Sequence, residues 1–146
     1  VCLGNICRSP LAEAAFRQTS QAAGLKVAID SAGTGNWHVG KPPDPRAQAT
    51  ALHYGVDISN LRARQIEQAD YTRFSHIMAL DHENLADIEA AAPRDTTAHI
   101  ALLLDYVPGR EGQAVRDPYF GGDGLFEETW TDVSLAASAL TEYFCR

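Results

Sequence analysis

Short apolar segments alternate with longer helix-forming segments along the chain, and this alternation restricts the fold class more than any other property of the sequence. Strands are predicted at 25–29, 76–80 and 100–104. Helices are predicted at 11–23, 45–54, 66–74, between Asp81 and Pro93, and at 126–144, where apolar residues recur every three or four positions. Such alternation predicts an α/β fold with a parallel sheet covered on both faces and ligands bound beyond the carboxyl ends of its strands.

The length and continuity of the chain predict a single domain over residues 1–146. A chain of 146 residues can bury one core, and no repeat or linker divides it. Val1 is expected to be the end of a fourth, central strand that begins before Val1 and leads into a loop at Cys2. The predicted architecture is therefore a three-layer α/β/α arrangement around a four-stranded parallel sheet.

The charge balance restricts the classes of partner. A formal net charge of −7 and a pI near 5.1 argue against general affinity for nucleic acid or an anionic membrane, because both require clustered positive charge. The apolar run 100–104 is far shorter than the ~20 residues that cross a bilayer. We therefore expect no nucleic acid partner and no membrane insertion, and any anion site must be local.

The segment from Cys2 to Ser9 places five residues between a cysteine and an arginine, at a predicted junction of strand and helix. A short loop at this junction can aim successive backbone N–H groups inward, and the N-terminus of the helix adds partial positive charge. Arg8 adds a planar fork that matches two phosphate oxygens. The residues predicted to line this oxyanion site are Leu3, Gly4, Asn5, Ile6 and Cys7. Gly4 allows close backbone approach, and Asn5 tolerates a left-handed conformation.

Cys2 is predicted to be the nucleophile. A helix N-terminus and nearby cations favour the thiolate form of a cysteine, and Ser9 can donate a hydrogen bond to that thiolate. The alternative is a buried cysteine in a chance Cys-x5-Arg spacing. The catalytic interpretation is favoured because Gly4, Asn5, Ser9 and Pro10 also stand at the positions that a phosphate loop before a helix requires.

The three cysteines form an odd set, which favours free thiols and a reducing, cytoplasmic compartment. Cys7 lies in the same loop as Cys2, so a reversible disulfide could protect the nucleophile from irreversible oxidation. Cys7 could equally be a small buried side chain, and both interpretations stay open. Cys145 receives no role.

Residues Val1 to Pro10 resemble the V-C-x-G-N-x-C-R-S-P signature of low-molecular-weight protein tyrosine phosphatases. Asp117-Pro118-Tyr119 resembles the D-P-[YF] motif of that family, and the likeness extends over essentially the whole chain. The resemblance implies a flavodoxin/Rossmann-like fold of the phosphotyrosine phosphatase I type and a cytoplasmic location. It also implies a phosphocysteine intermediate on Cys2, with Asp117 as general acid and phosphotyrosine proteins as substrates.

Further roles follow mainly from the resemblance. Trp37 and Tyr119 would wall a slot for an aryl ring, although each could be an ordinary, partly buried aromatic residue. Ser31 would support the phosphate loop. Relatives commonly carry a histidine before the Arg-Ala-Arg-Gln segment, whereas Asn60-Leu61 stand here, which raises the question of how the loop is held rigid.

No cofactor or metal is expected, because backbone N–H groups and Arg8 can already stabilise the phosphate oxygens. The five histidines show no metal-ligand spacing.

A thioredoxin-linked arsenate reductase would need two further cysteines in 81–99, and none occurs there. An arginine phosphatase would carry threonine in place of Ile6. A non-catalytic phosphotyrosine-binding module would be expected to have lost Cys2 or Asp117, and both are present.

Overall fold

The computed structural model describes the backbone of residues 1–146 and the side chains of 1–122 and 124–146. Its helices are α1 (Arg8–Ala22), α2 (Pro45–His53), α3 (Asp70–Arg73), α4 (His82–Ala91) and α5 (Asp123–Phe144). Its strands are β1 (His76–Ala79) and β2 (His99–Leu102), and the 3₁₀ helix Leu103–Tyr106 follows β2. No helix in the described part of the chain combines the length and apolar character of a membrane span.

Strands β1 and β2 are parallel, with His76 opposite His99 and Ala79 opposite Leu102. Beyond them, single parallel bridges join Cys2 to Gly33 and Gly33 to Gln65. The predicted strand at 25–29 is wrong, because no regular strand forms there. A cavity of about 380 Å³ is lined by residues 27–31 and by residues of β1.

Side chains of β1 alternate between two apolar clusters, as the period of a strand requires. Ile77 and Ala79 belong to the cluster that contains Ile88 of α4. Met78 and Leu80 contact the cluster formed mainly by α1, α2 and α5. Helices therefore pack on both faces of the sheet, which confirms the predicted α/β class.

Helix α1 packs along α5, and its start lies at the carboxyl end of the sheet. It begins at Arg8, three residues before the predicted Leu11, so Cys7 is its N-cap and Arg8 and Ser9 lie in its first turn. Pro10 fits here because the first turn of a helix needs no N–H from this position. The loop from Cys2 therefore enters the helix directly.

Two aspartates cap helices at the same edge. The Asp44 carboxylate accepts a hydrogen bond from the N–H of Arg46 at the start of α2, and the Asp81 carboxylate accepts one from Asn84 at the start of α4. The predicted helix at 66–74 is reduced to Asp70–Arg73, because Asp70 accepts a hydrogen bond from the N–H of Glu67 and fixes a turn there.

Candidate active site

The Cys2 sulfur is buried and contacts two hydrogen-bonding groups. Its side chain lies 3.0 Å from the Ser9 hydroxyl, and the backbone N–H of Asn5 donates to it over 3.3 Å. Cys2 is 3% exposed. These two contacts fix the position of the sulfur, as a nucleophile requires.

Asn5 fixes the shape of the loop. It is the one non-glycine residue with positive φ in the described chain, at 57°. Its amide nitrogen donates to the hydroxyls of Ser9 (2.7 Å) and Ser31 (2.9 Å), and its amide oxygen accepts from the N–H of Arg64 (3.0 Å). A buried asparagine with three hydrogen bonds offsets the cost of a left-handed backbone.

The support beneath Asn5 uses Glu13, which sequence reasoning missed. The Ser31 hydroxyl donates to the Glu13 carboxylate over 2.6 Å, and Glu13 also accepts from Arg17 at the surface. Leu61, in the segment where relatives carry a histidine, packs against the apolar core instead. The network below the loop is thus complete without a histidine.

Six backbone N–H groups around Cys2 have no acceptor among the described residues: those of Leu3, Gly4, Ile6, Cys7, Arg8 and Ser9. Unpaired N–H groups in a loop at a helix N-terminus form a site for an anion, because each must otherwise find water. The loop therefore offers hydrogen-bond donors beside the Cys2 sulfur.

Arg8 is buried and held on one edge. Its Nη1 atom donates to the Asp81 carboxylate (2.7 Å) and to the carbonyl of Val115 (2.9 Å). Its Nη2 atom lies 3.6 Å from a carboxylate oxygen of Asp117. With one edge anchored, the guanidinium can present its remaining donors to an oxyanion without losing its orientation.

A cavity of about 200 Å³ opens above the loop, and its lining brings together residues that are far apart in the sequence. Its lining includes Cys2, Arg8, Asp117 and Tyr119, with the exposed Trp37 at the mouth. Trp37 is 66% exposed, so its ring is available to a ligand. The predicted catalytic and aromatic residues thus line one cavity.

Cys7 differs from Cys2 in its environment. Burial, followed by the nearby Asp44 carboxylate, raises the pKa of the Cys7 thiol to about 12. Cys7 is therefore a neutral thiol at physiological pH. Both cysteines are free, and whether they join under oxidising conditions stays a prediction.

Gly33 holds the loop from the opposite side. Its neighbours Thr34 and Gly35 donate backbone hydrogen bonds to the carbonyls of Cys2 and Leu3, both over 2.9 Å. A Cβ atom at Gly33 would lie 2.8 Å from the Leu3 carbonyl oxygen, closer than such atoms approach. Glycine is therefore required at this position for the two segments to pair.

Sequence reasoning also missed Asp81, Arg46 and His38. In the sequence, Asp81 marks only the start of a predicted helix, although its place just after β1 puts it at the sheet edge where ligands bind. The His38 ring lies over Gly4, where a Cβ would be 2.9 Å from its Cδ2 atom. Among the side chains that the structure describes, no group of three acidic, histidine or cysteine residues could hold a metal ion.

Comparisons with known proteins identify the family to which the chain is similar. The profile of the family described as low molecular weight phosphotyrosine protein phosphatase matches residues 1–144. The low molecular weight protein-tyrosine-phosphatase YfkJ of Bacillus subtilis is 44% identical over 130 residues, covering 88% of this chain and 82% of YfkJ. The crystal structure of Primo-1 superposes with a TM-score of 0.93 at 34% identity, covering 99% and 95% of the two chains.

A Drosophila arginine phosphatase has a similar structure, with a TM-score of 0.92 at 31% identity and coverage of 99% and 95%. Similarity of fold therefore extends to relatives whose names give different phosphorylated residues. The match of the family profile over almost the whole chain, together with YfkJ, determines the assignment. The chain belongs to the low molecular weight phosphotyrosine protein phosphatase family.

Proposed function

We propose that this protein hydrolyses phosphotyrosine in proteins through a covalent cysteinyl-phosphate intermediate on Cys2. The proposal rests on the buried Cys2 sulfur, which contacts two hydrogen-bonding groups and lies among six N–H groups that have no acceptor among the described residues. A phosphate dianion would satisfy those N–H groups and bring its phosphorus next to the sulfur. The donors would bind the equatorial oxygens most tightly in the transition state.

In the first half-reaction the Cys2 thiolate attacks phosphorus, and the bond between phosphorus and the aryl oxygen breaks. Asp117, as the neutral acid, gives its proton to the departing phenolic oxygen. Such a proton transfer is typically worth ~10² to 10⁴ in rate. The 3.6 Å separation of the Arg8 and Asp117 side chains supports this role, because a phosphate bound to Arg8 would lie within reach of the carboxyl group.

In the second half-reaction water attacks the phosphorus, and the bond between phosphorus and sulfur breaks. The Asp117 carboxylate takes the proton of that water, and the thiolate leaves with help from the Ser9 hydroxyl. Inorganic phosphate is then released. In this proposal the charge on the phosphate oxygens is balanced by Arg8 and backbone N–H groups, so no metal takes part.

The cavity favours an aryl substrate over phosphoarginine. Trp37 and Tyr119 present aromatic faces at its mouth, where a phenyl ring would stack. Ile6 contributes only carbon atoms to the lining beyond its backbone, so its side chain has no acceptor for a guanidinium leaving group. The Drosophila arginine phosphatase therefore shares the fold, while Ile6 supports tyrosine phosphate for this chain.

The proposal includes a cytoplasmic setting and a particular sheet. Free Cys2 and Cys7 thiols suit a reducing compartment.

The Val1 nitrogen donates to the Met78 carbonyl, and the Val1 carbonyl accepts from the Leu80 N–H, so Val1 lies beside β1. With the bridge from Cys2 to Gly33, these bonds support a four-stranded parallel sheet within one domain, ordered from residue 33 through Val1 and β1 to β2.

The test is steady-state hydrolysis of para-nitrophenyl phosphate and a phosphotyrosine peptide in the presence of a chelator. We expect turnover by the intact protein, none by Cys2→Ser, and trapping of a phosphoenzyme after acid quench. Cys145→Ser is the matched control and should retain full activity. If the intact protein is inactive but still binds the peptide, the proposal fails and the protein is a phosphotyrosine-binding module.

A further inference from the structure

The loop that carries Asp117 receives few hydrogen bonds from the rest of the described residues, although Pro118 is buried and Asp117 lies 3.6 Å from Arg8. Two of its hydrogen bonds are internal: the N–H of Tyr119 donates to Asp117, and that of Gly121 donates to the Pro118 carbonyl. Phe120, in the middle of this loop, is 94% exposed. A proton donor needs a fixed position, so a restraint from outside the loop is required.

Arg46 supplies that restraint. Its guanidinium donates to the carbonyls of Tyr119 (3.0 Å) and Gly121 (3.3 Å), which are more than 70 residues away in the chain. Among the described residues, these are the hydrogen bonds that reach 117–121 from outside. The same guanidinium lies over the ring of Tyr119 at 5.7 Å and over that of Phe126 at 4.7 Å.

Asp44 holds Arg46 in turn. Its carboxylate accepts from Nε and Nη2 of Arg46, both over 3.0 Å, and from the Arg46 backbone N–H over 2.8 Å. These bonds lower the pKa of the Asp44 carboxyl group, so it stays ionised well into the acidic range. The pair is therefore a fixed unit at the start of α2 rather than a mobile surface ion pair.

Asp44 also contacts the phosphate loop. Its backbone N–H donates to the carbonyl of Ile6 over 2.9 Å. A continuous path therefore runs from the loop around Cys2, through Asp44 and Arg46, to the backbone beside Asp117. The path joins the nucleophile and the proton donor, whose loops are otherwise separate in sequence.

We propose that Arg46 is a positioning residue that sets the distance of Asp117 from the leaving-group oxygen. This inference rests on the proposed function, since it assumes that Asp117 protonates the leaving group. Lysine cannot replace arginine in this role, because one ammonium group cannot hold a carboxylate in a fork and also reach two carbonyls. Arg46 itself is not among the residues that line the cavity.

The test compares kcat/KM for two substrates that differ in their need for a proton. Phenyl phosphate releases a phenol with a pKa of about 10, like tyrosine, whereas 2,4-dinitrophenyl phosphate releases a far more acidic phenol. For Arg46→Lys we expect a loss of ~10-fold on phenyl phosphate and less than ~2-fold on the dinitrophenyl substrate. In an Asp117→Asn background, Arg46→Lys should cause no further loss.

Arg73→Lys is the matched control, because Arg73 also lies over an aromatic ring, that of Phe74 at 5.9 Å, but in α3. Arg73→Lys should leave kcat/KM unchanged for both substrates. Arg46→Gln provides a second variant, and thermal unfolding shows that each variant is folded. An equal loss on both substrates, or independent losses from Arg46→Lys and Asp117→Asn, would overturn the positioning role.

The same experiment separates the two proposals. If the intact protein does not turn over either substrate, or Cys2→Ser remains active, the proposed function fails. If the intact protein is active and depends on Cys2, while Arg46→Lys shows no preference for leaving group, only the positioning role of Arg46 fails.

Discussion

The two loops that face each other across the cavity are held in opposite ways. The phosphate loop is fixed by the buried side chain of Asn5, which hydrogen-bonds to Ser9, Ser31 and the N–H of Arg64, while the N–H groups around Cys2 have no acceptor among the described residues. The loop at 117–121 lies at the surface, where the Asp117 side chain is 45% exposed and the Phe120 side chain almost fully so. Its outside hydrogen bonds come from Arg46.

The difference follows from what each loop does in the proposed reaction. An oxyanion site must be rigid, because donors that reorganise during the reaction lose much of their stabilising effect. A proton donor beside a protein substrate must also leave room for entry and release. Damage to the phosphate loop should therefore affect every substrate equally, whereas damage around Asp117 should depend on the leaving group.

Arg8→Lys gives the largest expected effect on the phosphate-loop side. A lysine keeps the charge but loses the fork, and removal of one oxyanion donor typically costs ~10² to 10³ in kcat. We expect a loss of this size on phenyl and dinitrophenyl phosphates alike, with weaker inhibition by inorganic phosphate. A loss confined to phenyl phosphate would contradict the comparison between the loops.

Asn5→Ala and Asn5→Gly separate the stabilisation by the Asn5 side-chain hydrogen bonds from the cost of its left-handed backbone. Alanine loses three hydrogen bonds and keeps an unfavourable left-handed backbone, so the free energy of unfolding should fall by roughly 2 to 5 kcal/mol. Glycine loses the same bonds without the backbone cost and should be about 1 kcal/mol more stable than alanine. Urea unfolding measures the stability of each.

Both Asn5 variants should lower kcat/KM by ~10-fold or more on either substrate, because the donors around Cys2 lose their alignment. Equal stability of the alanine and glycine variants would show that the left-handed backbone carries no strain.

Trp37→Ala probes recognition at the mouth of the cavity. Trp37 is largely exposed, so its loss should leave the fold intact and remove a stacking surface worth about 0.5 to 1.5 kcal/mol. We expect KM for aryl phosphates to rise by ~2- to 10-fold, with unchanged inhibition by inorganic phosphate. Leu52→Ala, at an equally exposed apolar residue on α2, is the control. A parallel loss of phosphate inhibition would place Trp37 in the oxyanion site instead.

His76 gives the smallest effect and tests a region remote from both loops. It lies at the amino end of β1 against the rings of Phe144 and His99, and burial, followed by His99, lowers its pKa below 6.5. The unfolded chain then binds the proton more readily, so this stabilisation is present above about pH 6.5 and is lost as pH falls. His76→Asn should show a smaller decrease in Tm between about pH 7.5 and 5.5.

That pH effect should appear in stability and not in the leaving-group dependence of kcat/KM. If His76→Asn changed the response to leaving groups, the two ends of the sheet would be coupled. Identical pH dependence of Tm in His76→Asn and the intact protein would show that His76 does not contribute.

Local features of the sequence determined most of what could be predicted. Cys2, Asn5, Arg8 and Ser9 are neighbours in the chain, so one loop before one helix was enough to place them together. The prediction that Asp117 lies near Cys2 rested only on family resemblance, because no local pattern relates residues so far apart in the sequence. The strand predicted at 25–29 was wrong, because β-branched residues in alternation indicate only that a segment suits a pleated surface and do not identify the strand with which it would pair.

The residues that were missed act across long separations. Glu13 reads as an ordinary helical glutamate, yet it is 4% exposed and accepts from Ser31. Arg46 reads as a first-turn residue of α2, and its partners lie at 119 and 121. Nothing within a few positions of either residue indicates those contacts, because they depend on how helices pack around the sheet.

The two tryptophans occupy contrasting environments, which gives the protein a natural optical probe. Trp130 is 6% exposed and stacks on Tyr54 at 5.0 Å, whereas Trp37 is 66% exposed at the cavity mouth. Emission from the buried indole should be blue-shifted and insensitive to solutes, and emission from the exposed indole red-shifted and open to collisional quenchers. Aryl phosphates that enter the cavity should therefore shield only the red component, so occupancy can be followed in unlabelled protein.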